Sequence, residues 1–379
     1  MAWECPGAIQ PRRSVDCWRR GFCLPGCVNR PCQIGDCVES KLNLAILGAN
    51  GLVTESLLAA IESHPSLSGE ITLLGNAEGD ESAVEFGKQT LLIQDVEGYG
   101  FDEIEILIDT GEAEYRGDWL QRARDAGCIV LDIGGHLPGQ LHQVGVVAGV
   151  NDALLEEVVP GSVVVLPDAA SVQSAMVLHP LRQKLTLERV DLFSCHAVSE
   201  RGRAGVEEMA RQTAQMLNGK PARPVLFSSQ VAFNLVPMAA DEGVGESVDK
   251  EILIAERLRQ VLQAPDLPIS VSCCWAPVFF GHSQVMHIKV REPVDAEYLK
   301  RTFAEVPSVD LKWDSRETLS AVSDASGCDF MILGRVSVDG KNSTEFSLWA
   351  VADNLRFGIA GNAVKIIELL VKRLFISYS

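Results

Sequence analysis

Short apolar runs alternate with amphipathic segments along the first part of the chain. The runs KLNLAIL (41–47) and ITLLG (71–75) are typical of buried strands, and Leu57, Leu58 and Ile61 stand at helical spacing between them. The strand-like segments IEILIDT and CIVLDIGG follow, separated by the helix-like YRGDWLQRARDAG. This alternation predicts an α/β fold with a Rossmann-type doubly wound parallel sheet.

The pattern changes after residue 166. Long strand-like segments such as PISVSCCWAPVFF, SQVMHIKVRE and STEFSLWAVAD have few helices between them, which predicts a second α+β domain with a mixed sheet. The chain closes with a helical segment, GNAVKIIELLVKRL. We therefore expect a leader at 1–40, a dinucleotide-binding domain at 41–166, a second domain at 167–352 and a C-terminal helix at 353–379.

The leader is unusual in its cysteines, because six of the eleven in the chain fall within the first 37 residues. A zinc site built from Cys23, Cys27, Cys32 and Cys37 is conceivable, but the paired C-x-x-C spacing is missing. The alternative is a poorly ordered leader, since residues 1–40 show no periodic apolar pattern. We predict the second, with no metal bound.

Charge narrows the range of partners. The formal net charge is -18, whereas binding to nucleic acid or to an anionic membrane surface requires clustered Lys and Arg. The sequence has neither an apolar run long enough to span a bilayer nor a signal-peptide pattern. We expect a cytoplasmic protein that binds no nucleic acid and no membrane.

The segment Gly48-Ala-Asn-Gly51-Leu-Val-Thr54 follows a strand and opens a helix, as a dinucleotide phosphate loop requires. Gly48 permits the tight turn, and Gly51 lets the backbone approach a pyrophosphate. The candidate cofactor-binding residues are Gly48, Asn50, Gly51, Leu52 and Val53. Thr54 stands where a glycine usually allows close helix packing, and an ordinary strand-to-helix turn is the alternative interpretation.

The end of the next strand decides between the two nicotinamide cofactors. NADP needs a basic residue there to pair with its 2′-phosphate, but the sequence offers Glu78, Asp80 and Glu81. We therefore expect binding of NAD or NADP to be weak, with NAD the less disfavoured. A solvated acidic loop is the alternative for these three carboxylates.

Four segments in the second half carry a family resemblance. They are QVAFNLVP (230–237), HAVSERGRAG (196–205), APVFFGHSQ (276–284) and LWAVADNLRFGIAGNA (348–363). These segments resemble four motifs of aspartate-semialdehyde dehydrogenases, both in their residues and in their order along the chain. The motifs are I-A-F-N-x-x-P, Q-A-V-S-G-A-G, V-P-V-x-x-x-H-S and W-x-V-x-D-N-L-R-K-G-A-A-x-N-A. The resemblance covers Lys41 to Phe375 and is strongest to the divergent bacterial Usg-type branch.

The resemblance implies a homodimer formed through the second domain, the dehydrogenase dimerisation domain, with the terminal helix returning to the nucleotide domain. It also implies a reductive dephosphorylation of aspartyl phosphate with NADPH, through a cysteine thioester. At the cysteine position this sequence has Ala169, in Pro167-Asp-Ala-Ala-Ser-Val-Gln173. The proton-shuttling histidine is retained as His282, whereas Trp275 replaces the arginine that binds the substrate carboxylate.

Other family positions have also changed. The segment DIGGHLPG has no clear equivalent of the phosphate-binding arginine, and Ile252 aligns best with a basic residue of the helix VDKEILIAERLRQ, although Lys250 lies two residues earlier. Ser171 would need a base to act as a nucleophile. His282 alone could simply be an inherited histidine with local hydrogen bonds.

Three hypotheses follow. In the first, the chain is a catalytically inactive paralogue with a binding or regulatory role for an unidentified small molecule or protein partner. In the second, it is an NAD(P)-dependent oxidoreductase with a rewired site for an aldehyde or acyl phosphate. In the third, it is a purely structural partner of another enzyme. The loss of both the nucleophilic cysteine and the arginine that binds the substrate carboxylate favours the first hypothesis.

Overall fold

The structure is a computed structural model, and it describes residues 42–64, 67–75, 83–111, 118–137, 143–238, 249–313, 318–338 and 343–376. The predictions for the leader at 1–40 and for Glu78, Asp80 and Glu81 lie outside these residues. Within them the chain forms two seven-stranded sheets flanked by helices. The predicted fold class, a Rossmann-type sheet followed by an α+β unit with a mixed sheet, is confirmed.

The first sheet has the order β3-β4-β2-β1-β5-β6-β7. Every neighbouring pair is parallel except the β3–β4 hairpin. Its strands are β1 (Leu42–Leu47), β2 (Ser68–Gly75), β3 (Ala83–Phe86), β4 (Gln89–Asp95), β5 (Ile106–Asp109), β6 (Ile129–Ile133) and β7 (Val163–Leu166).

The second sheet has the order β12-β13-β14-β11-β8-β10-β9 and is mixed. β8 runs parallel to β10, whereas β11 runs antiparallel to both β8 and β14. Its strands are β8 (Leu187–His196), β9 (Val236–Pro237), β10 (Ile269–Trp275), β11 (His282–Val294), β12 (Val309–Lys312), β13 (Met331–Val338) and β14 (Ser343–Ala352).

In the described part of the chain, seven α-helices cover the sheets. They are α1 (Leu52–Glu62), α2 (Trp119–Asp125), α3 (Ala169–Lys184), α4 (Gly202–Leu217), α5 (Lys250–Val261), α6 (Ala296–Ala304) and α7 (Asn362–Val371). A 3₁₀ turn (Val198–Arg201) precedes α4, and a π-helical segment (Asn354–Gly361) leads into α7.

Separate apolar cores hold the two sheets. The inner face of the second sheet packs against α3, α5 and α6, with Leu181, Leu258 and Phe303 fully buried. The core of the first sheet includes α1 and also α7, whose Ile366 and Ile367 pack with the strands of that sheet. The last helix of the chain therefore completes the core around the first strand.

Among the described residues, the other face of the second sheet is covered only in part, where Ala321 and Ala325 pack on Ile332 and Val351. Val285 on β11 pairs in register with Phe193 on β8 and with Trp349 on β14, and Phe193 and Trp349 are exposed. Side chains on a strand alternate between faces, so this apolar row stands opposite the core and is accessible to a partner.

Candidate active site and comparison with known proteins

The helix α3 begins at Ala169, the position that the family resemblance aligns with a nucleophilic cysteine. Asp168 caps the helix, because its carboxylate accepts hydrogen bonds from Ser171 N at 3.1 Å and from Ser171 Oγ at 2.9 Å. Ala169 is the first helical residue and is buried. The structure therefore places a methyl group, with no polar atom, at this helix N-terminus.

Asp168 is also the acidic end of a buried ion network. Its Oδ2 accepts from Arg257 Nη1 at 2.7 Å, and Lys250 Nζ lies 3.7 Å from its Oδ1. Arg257 is only 3 % exposed and donates as well to the carbonyl of Gly134. Burial alone would raise the pKa of Asp168, but the positive charges of Lys250 and Arg257 outweigh it and hold that pKa well below its usual range.

The network continues from Lys250 to two histidines. Lys250 Nζ lies 2.7 Å from Glu200 Oε1, and Glu200 Oε2 hydrogen-bonds His196 Nδ1 and lies 3.4 Å from His282 Nε2. The rings of His196 and His282 have centroids 4.6 Å apart, and both residues are fully buried. Glu200 thus joins a lysine on one side to a histidine pair on the other.

Sheet register explains why these side chains meet. β8 ends at His196, parallel β10 ends at its register partner Trp275, and antiparallel β11 begins at His282. The 3₁₀ turn that follows β8 places Glu200 over the same end of the sheet. Asn354 ties the connecting loops together, since its Oδ1 accepts from Gly281 N at 2.9 Å and its side chain bonds Ser199 Oγ.

The environment sets the charges in this cluster. Burial lowers the pKa of His282 to about 3, and the neighbouring His196 also lowers it. Burial would raise the pKa of Glu200, but His196 and Lys250 outweigh it and hold that pKa well below its usual range. For Lys250, the carboxylates of Asp168 and Glu200 outweigh burial and raise the pKa. At neutral pH the cluster therefore contains a neutral His282 beside an ionised Glu200–Lys250 pair.

Trp275, which the family resemblance aligns with a carboxylate-binding arginine, lies in an apolar environment. The indole is buried and packs edge-to-face with Phe227, with ring centroids 5.1 Å apart. Its neighbour on the other side is His196, with a centroid distance of 6.3 Å. An apolar wall, with Met209 and Val231 behind it, therefore borders the histidine pair.

A second charged cluster lies at the carboxyl ends of β5 and β6. His136 Nε2 is 3.2 Å from Asp109 Oδ2, and His136 Nδ1 is 3.0 Å from Asp132 Oδ1. Burial opposes the charge on His136, but the hydrogen bonds and charges of the two aspartates outweigh it and raise its pKa to about 10. His136, in the segment DIGGHLPG, is thus held between Asp132 of the same segment and Asp109 at the end of β5.

The candidate phosphate loop contains a tight turn at Gly48. Gly48 has a φ of 103°, and Gly51 precedes α1 without a side-chain cap. Asn50 is exposed and Leu52 and Val53 are buried. Contrary to the expectation from the sequence, Thr54 does not hinder helix packing. It is fully buried, and its hydroxyl donates to the carbonyl of Gly48 at 2.6 Å. Threonine here closes the loop instead of a glycine.

The structure brings some predicted residues together and separates others. It connects the α3 N-terminus next to Ala169 with His282 through Asp168, Lys250 and Glu200. Ile252 is 54 % exposed, and the cations of this helix that reach the site are Lys250 and Arg257.

Sequence reasoning missed His196, Glu200, Asp168 and Arg257. One signal was available: the segment HAVSE departs from the family pattern Q-A-V-S-G at its first and last residues, and those two residues are His196 and Glu200.

Two regions of the chain match known domains. Residues 43–158 match the semialdehyde dehydrogenase NAD binding domain, and residues 178–357 match the semialdehyde dehydrogenase dimerisation domain. In the part of the chain that the structure describes, no helix has the length and apolar character needed to cross a membrane.

Relatives extend this similarity over most of the chain. A USG-1 protein homolog of Azotobacter vinelandii is 33% identical over 336 residues, which are 89% of this chain and 99% of that protein. Aspartate-semialdehyde dehydrogenase 2 of Vibrio cholerae is 30% identical, covering 89% of this chain and 100% of that protein. The crystal structure of aspartate semialdehyde dehydrogenase II from Vibrio cholerae superposes with a TM-score of 0.81 at 31% identity, covering 88% of this chain and 100% of that one. The chain belongs, as its motifs predict, to the aspartate-semialdehyde dehydrogenase family.

Proposed function

We propose that this chain is a member of the family that does not catalyse its dehydrogenase reaction and serves a binding or regulatory role. The observation that carries the proposal is Ala169 at the N-terminus of α3, because alanine cannot form a thioester. Removing the nucleophile of a covalent mechanism costs on the order of a million-fold in turnover. That loss leaves no useful rate.

Two neighbouring groups could replace the thiol, and their environments argue against both. Ser171 is 1% exposed, and its hydroxyl donates to Asp168, whose charge is held by Arg257 and Lys250. A carboxylate held in this way is a poor base. Cys273 faces the same side of the sheet as Trp275, but it is 2% exposed and burial raises the pKa of its thiol far above neutrality.

Substrate recognition is changed as well. The buried Trp275 offers one N–H and no positive charge where a carboxylate would need a guanidinium. A phosphate would need a free basic group in the segment DIGGHLPG, but His136 there is already paired with Asp109 and Asp132. Both changes argue against an acyl phosphate that also carries a carboxylate.

A nicotinamide dinucleotide fits the first sheet in part. The loop from Gly48 to Val53 ends at an uncapped helix, whose N–H groups are suited to a pyrophosphate. Such a cofactor would supply a hydride donor or acceptor. Glu55, in the first turn of α1, is paired with Arg203 of α4. We propose that the cofactor binds weakly through the residues from Gly48 to Val53, with NAD bound no worse than NADP.

The chain is proposed to act as a homodimer. The exposed row of Phe193, Val285 and Trp349 on the second sheet supports this assembly, and it lies within the region that matches a dimerisation domain.

The second candidate is an NAD(P)-dependent oxidoreductase with a rewired site for an aldehyde or acyl phosphate. One observation favours it: a neutral, buried His282 beside an ionised Glu200–Lys250 pair is an arrangement that apolar packing alone does not require. Perturbed titratable groups of this kind concentrate at sites of proton transfer.

The test is an assay of NADPH formation from L-aspartate semialdehyde, inorganic phosphate and NADP, repeated with NAD. The control enzyme is aspartate-semialdehyde dehydrogenase 2 of Vibrio cholerae. We expect no rate within about a thousand-fold of the control, since the missing nucleophile alone costs more than that. The variants Ala169→Cys and Ala169→Cys/Trp275→Arg are assayed beside it.

The outcomes separate the two candidates. A rate for the unmodified chain within a thousand-fold of the control would overturn the non-catalytic assignment, and a Cys273→Ser variant would then ask whether that thiol acts. Activity that returns only in the double variant would support the proposal that this chain has lost both the nucleophilic cysteine and the carboxylate-binding arginine.

A further inference from the structure

Three side chains at the end of the second sheet present nitrogen and oxygen atoms to one point. His196 ends β8, Glu200 lies in the 3₁₀ turn after it, and His282 begins β11. One ligand atom from each lies within 4.8 Å of the other two. Both histidines are fully buried, and the Glu200 side chain is 20% exposed.

The ring nitrogens of this cluster lack the partners that burial normally demands. Among the residues that the structure describes, neither nitrogen of His282 has a hydrogen-bond partner, and neither does Nε2 of His196. A neutral imidazole carries one donor and one lone pair, and a buried polar group left unpaired costs about 1–3 kcal/mol. Nδ1 of His196 bonds Glu200, so three of the four nitrogens of two rings only 4.6 Å apart are without a hydrogen-bond partner in the described part of the chain.

The carboxylate is oriented to complete such a site. Glu200 Oε1 is held by Lys250 Nζ at 2.7 Å, which leaves Oε2 towards the histidines, 3.4 Å from His282 Nε2. Lys250 is itself anchored by Asp168. This is the role of an outer-shell partner, which fixes the orientation of a ligand without binding the metal.

Two imidazoles and one carboxylate form a ligand set typical of zinc. Zn²⁺ binds His nitrogen and Glu oxygen in tetrahedral sites, and a site with three protein ligands keeps a fourth position open. Softer cations favour thiolates, whereas Mg²⁺ and Ca²⁺ favour oxygen ligands alone. The buried, mixed N₂O set therefore selects a transition metal of the zinc type.

We propose that His196, Glu200 and His282 form a mononuclear Zn²⁺ site with one position open to a small anionic ligand. The cation replaces the proton that His196 shares with Glu200 and takes up the lone pair of His282. This assignment departs from the sequence-based expectation that the chain holds no metal. It is independent of the missing nucleophile, so the dehydrogenase assay and the zinc test can fail separately.

The experiment uses the full-length chain, stripped with a chelator and titrated with Zn²⁺ by calorimetry and with Co²⁺ by visible absorption. The six cysteines of residues 1–37 are replaced by serine in a parallel background, because thiolates there would also bind zinc. The ligand variants are Glu200→Gln, His282→Gln and His196→Gln. The matched control is His287→Gln, because His287 lies on the same strand as His282 and is exposed.

We expect one equivalent of Zn²⁺ in the background that lacks the six cysteines of residues 1–37, and the visible bands of four-coordinate Co²⁺. Each ligand variant should weaken zinc binding by more than about 100-fold, since loss of an outer-shell partner alone costs 10–100-fold. His287→Gln should bind as the parent does. Glu200→Gln, at the partly exposed position, keeps the test open if a histidine variant fails to fold.

Three results would overturn the proposal. They are no zinc bound at micromolar concentration in the background that lacks the six cysteines of residues 1–37, six-coordinate Co²⁺ spectra, and zinc binding that survives unchanged in Glu200→Gln and in every histidine variant that folds.

Discussion

Gly358 lies against Ala169 so closely that a β-carbon on residue 358 would stand 2.5 Å from the Ala169 β-carbon. The π-helical segment Asn354–Gly361 thus rests directly on the first turn of α3. We predict that Gly358→Ala lowers the free energy of unfolding by roughly 1–3 kcal/mol, because overpacking a core forces backbone shifts. Urea unfolding would measure it. Gly98→Ala is the control, since a β-carbon there meets nothing within 4 Å; an equal loss in both variants would contradict the close contact.

His136 should make stability depend on pH. Its folded-state pKa of about 10 lies above the ordinary 6.5, so the stability from its ionised form is fully present below pH 6.5 and is lost as pH rises through 10. The difference in unfolding free energy between the parent and His136→Gln should therefore be largest near pH 6, on the order of 3 kcal/mol, and shrink by pH 10. Urea titrations at several pH values would show this.

The control for that experiment is His287→Gln, which changes an exposed histidine. Its difference from the parent should be small at every pH. A difference for His136→Gln that stays constant from pH 6 to pH 10 would mean that Asp109 and Asp132 do not hold a charged ring.

The outward row of the second sheet should form the dimer interface. Phe193 and Trp349 are 43% and 36% exposed on either side of Val285. At micromolar concentration we expect sedimentation at twice the monomer mass of 41.1 kDa, and at the monomer mass for Phe193→Asp/Trp349→Asp, because two buried carboxylates would be unpaired.

Leu92→Asp is the matched control for dimerisation. Leu92 is 67% exposed but lies on β4 of the other sheet, so this variant should remain dimeric. A parent that sediments as a monomer, or a double variant that stays dimeric, would rule out this face.

Cofactor preference provides the fourth prediction. Calorimetric titration of the parent should give weak binding for both nucleotides, with NAD bound no worse than NADP, because Glu78, Asp80 and Glu81 follow β2 and would repel a 2′-phosphate. The variant Glu78→Arg/Asp80→Arg should shift the preference towards NADP. Tight NADP binding by the parent would show that a basic group faces the ribose.

The sequence predicted those features that depend on local pattern or on an aligned motif. Strand and helix alternation was sufficient for the two sheets, and the motifs located Ala169, Trp275 and His282. Local patterns and motifs could not predict the ion network, because its members come from distant parts of the chain. Arg257 contacts Asp168 across 89 positions, and sheet register alone brings His282 to His196.

The choice between Lys250 and Ile252 shows the same limit. Alignment favoured Ile252, but on a helix two positions differ by a large rotation about the axis. The structure turns Ile252 to solvent and Lys250 to Glu200. Thr54 likewise fits because its hydroxyl finds the Gly48 carbonyl, a partner that only the folded turn provides.

The position of α7 governs the order in which the chain can fold during synthesis. Domains near the N-terminus usually fold while translation continues. Here Ile366, Ile367 and Leu370 belong to the core around β1, so that core stays incomplete until nearly the whole chain has left the ribosome. The second sheet has no residue of α7 in its core but needs β14 and Phe357, so it can be completed only shortly before α7. The first strand, although it is synthesised early, is therefore expected to be among the last to become stable.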